Sequence, residues 1–298
     1  MEFWGILAAL GAALSWSLSG LISHKAARAM GGLGFNRLRM SILCAGLLPV
    51  VFISGTWNSL GSENLLILVF SGLIGIFLGD TALFTALDRL GPRRTQMLFA
   101  SHAPFTVLLS VVFLNERLSV YDLLGAAIVI AGTWIAIFYG KPKENLHRFE
   151  SIRGSLWVGI VIALIAALCQ AAGAILAKPV MMAGADPVFA SFIRIGTSAF
   201  FLILLGFLPI SYLKTKCRTN ASLWRASALS GFIGLGLGMG LYLTGLRFAP
   251  TGLVAVLSST TPVLTLPLLW LVMRQIPAHQ SWIGALCAII GTSIILLL

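Results

Sequence analysis

A chain of 298 residues that is 58% hydrophobic and only 10% charged cannot cover itself with polar surface, since a water-soluble domain carries about 25% charged residues. It reads as an integral membrane protein. The formal net charge of +11 does not point to nucleic acid, because the basic residues sit in short loops between apolar runs and no basic aromatic patch accompanies them.

A helix that crosses a hydrocarbon core about 30 Å thick needs roughly 20 apolar residues. Ten runs meet this: Trp4–Ser23, Phe35–Ile53, Leu65–Leu87, Thr95–Leu114, Val120–Tyr139, Ser155–Ala177, Val188–Leu208, Leu223–Leu246, Thr251–Met273 and Gln280–Leu298. The alternating strands of about ten residues that a membrane barrel would need are absent. The N-terminal stretch MEFW has no basic region before its apolar run, so a retained span is expected there rather than a cleavable signal peptide. The clearly polar connection GKPKENLHRFESIRG (Gly140–Gly154) divides the ten spans five and five. The expected organisation is a first five-helix repeat over 1–140, a cytoplasmic linker over 141–154 and a second five-helix repeat over 155–298, together one membrane domain.

The second half repeats the first. SGLIGIFLGDTALFTAL (Ser71–Leu87) and SGFIGLGLGMGLYLTGL (Ser230–Leu246) are identical at 8 of 17 positions. Each runs into a further span with a proline at the turn (Pro92, Pro250) and another inside (Pro104, Pro262). Gly5–Trp16 matches Gly159–Gln170, Arg39 matches Arg194, and Gly125–Ile135 matches Gly284–Ile294. A period this long marks an internal duplication. Five spans per unit is an odd number, so the second unit enters the membrane from the opposite side, the inverted-repeat arrangement of carriers. The expected fold is therefore all-α, ten transmembrane helices in two inverted five-helix repeats around a central cavity.

Loops 1–2, 3–4, 5–6, 7–8 and 9–10 with their flanks hold 16 of the 20 Lys and Arg residues; the other face has Arg117, Lys178 and Arg247. The basic loops are expected in the cytoplasm and both termini outside. Trp4, Trp57, Trp157, Trp224 and Trp282 fall near span ends, at headgroup level, while Trp16 lies mid-span. The glycine-dense third spans, Gly72, Gly75 and Gly79 against Gly231, Gly234 and Gly238, suit close helix packing. The run GLGLGMG lacks the spacing and preceding strand of a nucleotide loop.

Polar residues inside spans are few. Asp80 is the one acid well inside, and either contacts a substrate amine or coupling proton or pairs with Arg93 or Arg39. His102 is the one mid-span histidine, read as a structural hydrogen bond or a substrate contact. The cluster Ser258–Thr261 before Pro262 either satisfies carbonyls freed by the proline or forms a polar wall where broken helices meet. Pro104 and Pro262 are the expected helix breaks. Trp16, Gln170, Phe84, Gln96 and Tyr242 complete the candidate cavity, whose low charge favours a neutral or zwitterionic solute. Arg39 and Arg194 either snorkel to the headgroups or serve as gate or carboxylate contacts. The four cysteines are not at metal or disulfide spacing, and no nucleophile, acid–base or metal motif is present, so no catalytic residue, metal or cofactor is expected.

These features resemble the ten-span EamA-type branch of the drug/metabolite transporter superfamily. The resemblance covers the whole chain: two five-span units, an arginine in each second span, glycine-rich third spans, proline-containing fourth spans, FLNERLS (Phe113–Ser119) and the fifth spans with Gly125/Gly132 and Gly284/Gly291. Where such members carry an acid at the end of the fourth span in both units, this chain has Glu116 in the first and Arg274–Gln275 in the second. The resemblance implies a monomeric plasma-membrane carrier, surrounded by lipid, that exports or equilibrates amino acids or related metabolites. The alternative is a polytopic membrane enzyme or lipid-handling protein using Asp80 and His102.

Overall fold

The computed structural model describes residues 2–90, 95, 98–139, 154–209, 215, 217, 220–261, 263–265, 267–268 and 279–297. Gln96, Pro262, Arg93, most of the polar linker and the 269–278 segment with Arg274 and Gln275 lie outside the described residues. Among the described residues every regular element is helical. The first half contains α1 (Glu2–Met30), α2 (Gly32–Ser54), α3 (Ser62–Gly72), α4 (Gly79–Leu90), α5 (His102–Leu114) and α6 (Val120–Tyr139). The second contains α7 (Leu156–Met182), α8 (Pro187–Gly206), α9 (Ala221–Ser230), α10 (Gly238–Phe248), α11 (Thr251–Ser258) and α12 (His279–Leu297). Among the described residues, 6 helices are long and apolar enough to cross a membrane, and four shorter apolar helices, at His102–Leu114, Val120–Ile135, Thr251–Thr265 and Trp282–Gly291, fall where the remaining spans are expected.

The third span of each half is not a uniform α-helix. A π-helical stretch, Leu73–Leu78, joins α3 to α4, and another, Gly231–Leu237, joins α9 to α10. Both occupy the repeated SG-x-IG sequence. A π-turn widens the helix and leaves carbonyls out of the regular ladder; two glycine-rich copies carry it because only small side chains let neighbouring backbones close in around the widened turn.

Helix packing obeys an exchange of the halves. α1 lies along α10 and the second π-turn, and its counterpart α7 lies along α4 and the first π-turn. α2 packs on the second π-turn and α8 on the first. The pairs α2–α8, α5–α11 and α6–α12 each join equivalent spans. The individual contacts repeat as well. Ser71 Oγ donates to the Gly173 carbonyl at 2.6 Å, and Ser19 Oγ donates to the Ser230 carbonyl at 2.8 Å. Ser71 is the counterpart of Ser230, and Gly173 of Ser19. A side chain at Gly75 would meet the Gly173 Cα at 2.9 Å, and one at Gly234 would run into Ser19. Lipid tails are as apolar as the helices, so association rests on such close approach and interhelical hydrogen bonds.

The fourth and ninth spans break at matching places. Ser101 and Ala103 donate three residues back, to Leu98 at 3.1 Å and Ala100 at 3.2 Å, and α5 begins at His102 with Pro104 in its first turn. α11 ends at Ser258, Thr260 donates to Leu257 at 3.2 Å, and the helix resumes at Thr261.

Overpacking of a backbone-to-backbone contact cannot be relieved by a rotamer change and costs about 1–3 kcal/mol or more. Gly173→Leu should therefore lower the thermal midpoint of the detergent-purified protein by several degrees. Gly240→Ala has nothing within 4 Å of the new methyl and should leave the midpoint unchanged or slightly raised through helix propensity. Equal midpoints for the two variants would contradict this packing.

Candidate functional site

Two arginines, one per half, organise the polar interior. Each lies where its second span crosses the π-turn of the other half. The backbone of Arg194 approaches Gly72, where a Cβ would meet the Arg194 carbonyl oxygen at 2.7 Å, and Arg39 approaches the equivalent Gly231, where a Cβ would meet Arg39 Cγ at 3.2 Å. The environments of the two side chains differ.

Arg39 has a carboxylate. Its Nη2 lies 3.8 Å from Asp80 Oδ2 and donates to Asn36 Oδ1 at 2.7 Å, while Asn36 Nδ2 donates to the same Asp80 oxygen at 3.1 Å. The guanidinium also sits 5.4 Å from the Phe35 ring centre. α2 supplies Asn36 and Arg39 three residues apart, one helical turn, so both face α4. Phe84 stands one turn beyond Asp80 on the same face and packs against Gly32 at the start of α2, where a Cβ would meet Phe84 Cδ1 at 2.8 Å. Of the two partners the sequence offers Asp80, Arg39 meets it, and Arg93 lies outside the described residues.

Arg194 has none. It is 0% exposed, so it does not snorkel to the headgroups. Its Nη1 donates to Met239 Sδ at 3.3 Å, and its Nε and Nη2 have no hydrogen-bond partner among the described residues. Met239 is the counterpart of Asp80. The arginine-to-third-span contact is thus kept in both halves, with a carboxylate in one and a thioether in the other. A buried guanidinium within a span costs up to about 2.5–3.5 kcal/mol on the insertion scale, the figure for a helix centre.

The aromatic candidates meet beside Arg194. Trp16 and Tyr242 pack with ring centres 5.5 Å apart, and Tyr242, one turn along α10 from Met239, is buried. The Trp16 indole fits over Gly238, where a Cβ would lie 2.8 Å from its ring. Gln170, the counterpart of Trp16, is half-buried on α7. His102 is buried with its ring 5.2 Å from that of Phe99, and its Nδ1 has no hydrogen-bond partner among the described residues. The hydroxyls of the second-half cluster turn back on their own helix: Ser258 donates to Ala255 at 3.0 Å, Ser259 to Val256 at 2.7 Å, Thr260 to Leu257 at 2.7 Å and Thr261 to Ser258 at 2.8 Å. Ser17, next to Trp16, donates to the Thr261 carbonyl at 2.8 Å and ties α1 to this break.

One polar cluster was not assembled from the sequence. Glu116, at the end of the fourth span, reaches the start of the ninth. Its Oε1 accepts from Thr251 N at 2.8 Å and Thr251 Oγ1 at 2.7 Å, and its Oε2 accepts from Gly252 N at 3.4 Å. A carboxylate on the first amides of a helix opposes the partial positive charge of that end. Lys178 Nζ, near the end of α7, donates to the Ala249 carbonyl at 2.6 Å and lies 4.0 Å from Glu116 Oε1. This clasp joins spans four, six and nine. The acid itself stood out in FLNERLS, but nothing in the spacing linked it to residues 135 and 136 positions away. Among the described residues no three His, Cys, Asp or Glu side chains group as a metal site.

Removing Asp80 leaves Arg39 without a counter-ion in a largely buried place, a loss of about 1–3 kcal/mol after discounting for its partial exposure. Asp80→Asn should lower the thermal midpoint clearly, and Asp80→Asn with Arg39→Gln should recover part of that loss. A double variant as unstable as the sum of the single ones would show that the two side chains do not interact.

The comparisons with known proteins agree with this architecture. The EamA-like transporter family matches the chain twice, over residues 3–138 and 157–297. An uncharacterised transporter of Synechocystis sp. is 22% identical over 266 residues, covering 86% of this chain and 74% of the relative. One from Archaeoglobus fulgidus is 25% identical over 258 residues, covering 87% and 85%. A solved crystal structure superposes with a TM-score of 0.79 at 19% identity, over 98% of this chain and 96% of the other, a likeness of fold. The chain is a multi-pass membrane protein that belongs to the EamA-like transporter family.

Proposed function

We propose that this transporter exports or exchanges amino acids or related small metabolites by alternating access. The observation that carries the reading is the exchange-related packing of the halves: α1 on α10 and the second π-turn, α7 on α4 and the first. Two near-equivalent halves can trade conformations, and the trade opens a path first to one side and then to the other. The π-turns supply weak points in the helical ladder at the moving crossings. The Glu116 clasp then closes one face of the path, and the solute contacts Trp16, Tyr242 and the polar residues around Asp80 and Arg194. The Lys and Arg asymmetry supports a proposed orientation with both termini outside; the plasma membrane is the proposed location, and the proposed repeats are 1–140 and 155–298. A monomer suffices, because both halves of the path are in one chain.

The enzyme reading has less support. It needs Asp80 and His102 to work together, yet Asp80 is engaged by Asn36 and Arg39 and the His102 ring rests on Phe99. The family and the relatives are named transporters.

The test is uptake of a labelled solute panel (amino acids, small carboxylates, amines) into proteoliposomes of the full-length protein, with and without an imposed pH gradient. Saturable flux of at least one amino acid or metabolite, absent from empty liposomes, is expected. No flux of any panel member, with chemical change of the lipid instead, would overturn the reading. Should flux follow the pH gradient, an unchanged dependence in a folded Asp80→Asn variant would remove Asp80 as the proton site.

A further inference from the structure

The asymmetry between the arginines identifies a ligand group. In the first half, α2 presents Asn36 and Arg39 to the third span, and both engage the Asp80 carboxylate. In the second half, α8 presents Ser191 and Arg194 at the same register positions, and the third span offers Met239. Among the described residues Ser191 Oγ is buried without a hydrogen-bond partner, as are Arg194 Nε and Nη2. Three donors are therefore in place on one helix face, one turn apart, and no carboxylate among the described residues approaches them.

The unused atoms of Arg194 matter. Nε and Nη2 form one edge of the guanidinium, the edge that takes both oxygens of a carboxylate in a fork. Nη1, on the remaining side, is the atom on Met239. Gly75 of the opposite half lies over this edge without a side chain, since a Cβ there would sit 3.2 Å from Nη2, so what covers the edge is the backbone of the π-turn. One cation and one hydroxyl match a single negative charge, where a phosphate dianion would require a second cation.

We propose that Arg194 and Ser191 bind one carboxylate of the transported solute, in the place that Asp80 fills for Arg39 in the other half. This rests on the transport reading for the identity of the ligand as a solute. Both residues are buried in this conformation, so the carboxylate enters when the π-turn that covers Arg194 moves with its half. The Trp16–Tyr242 pair, one turn from Met239, then faces the rest of the solute.

The test is binding to the purified full-length protein, read as thermal stabilisation at fixed ionic strength. The probes are propionate, its neutral isostere propionamide, inorganic phosphate and chloride. Propionate should raise the midpoint saturably, as a ligand of the native state does, and propionamide should not. Met239→Asp gives Arg194 a carboxylate of its own; it should raise the midpoint of the unliganded protein and weaken the propionate response by about tenfold or more. Ser191→Ala should weaken it by a smaller factor, about two- to fivefold. Equal stabilisation by propionate and propionamide, or by chloride or phosphate at the same ionic strength, overturns the proposal without reference to any variant. So does a folded Met239→Asp protein with the full propionate response. The outcome is separable from the transport assay. Flux of amino acids without discrimination between propionate and propionamide would defeat this site and leave transport standing; discrimination without flux would do the reverse.

Discussion

The molecule depends on one kind of contact: the backbone of a third span held against the backbone of the other half's first span. In hydrocarbon no water is released when helices meet, so the association must come from dispersion at short range and from hydrogen bonds. Ser71 on the Gly173 carbonyl and Ser19 on the Ser230 carbonyl supply the bonds, and Gly75, Gly173 and Gly234 permit the distance. Both π-turns begin at these contacts or within a residue or two of them. The two arginines cross the same turns from the second spans. Remove the close approach and there is no crossing for the arginines to occupy.

On that symmetric frame the side chains diverge. Asp80 faces Arg39, and Met239 faces Arg194. Trp16 stands where the second half has Gln170, and His102 where it has Thr260. On the proposed transport cycle, a frame of equivalent halves offers two conformations of nearly equal energy, since exchanging their shapes would leave the scaffold contacts unchanged in kind. In the same reading, the unequal residues are the ones proposed to hold the solute and bias the balance. The Arg39–Asp80 pair is internally neutral; among the described residues no carboxylate answers the charge of Arg194. The Glu116–Lys178–Thr251 clasp likewise has no acid at the matching position, where the sequence reads Arg274–Gln275.

The spans were legible because the bilayer imposes length and apolarity on every one of them. The duplication was legible because glycine, serine and proline are fixed by backbone needs, so the copies stay alike at Ser71/Ser230, Gly75/Gly234 and Pro104/Pro262. The π-turns were not, since a glycine-rich apolar run is compatible with an α-helix and the extra residue per turn arises from packing. For Asp80, burial predicted a partner, and the three-residue spacing that adds Asn36 to Arg39 became meaningful only once α2 and α4 were seen to face each other. Arg194 was read with snorkelling as one option, because hydropathy places a residue along a span and not around it; its helix turns it inward. Ser258 and Thr261 read equally as cavity wall or backbone support, and their hydroxyls lie on Ala255 and Ser258 carbonyls.

The proposed transport cycle requires the two halves to trade conformations and the Glu116 clasp to open as they do. It is tested most directly by replacing Glu116 and Thr251 with cysteines in a background lacking Cys44, Cys169, Cys217 and Cys287, and following solute flux in proteoliposomes while the pair is oxidised and reduced. Flux should fall to the level of empty liposomes when the cross-link is complete and return on reduction. Undiminished flux through fully cross-linked protein would contradict the account.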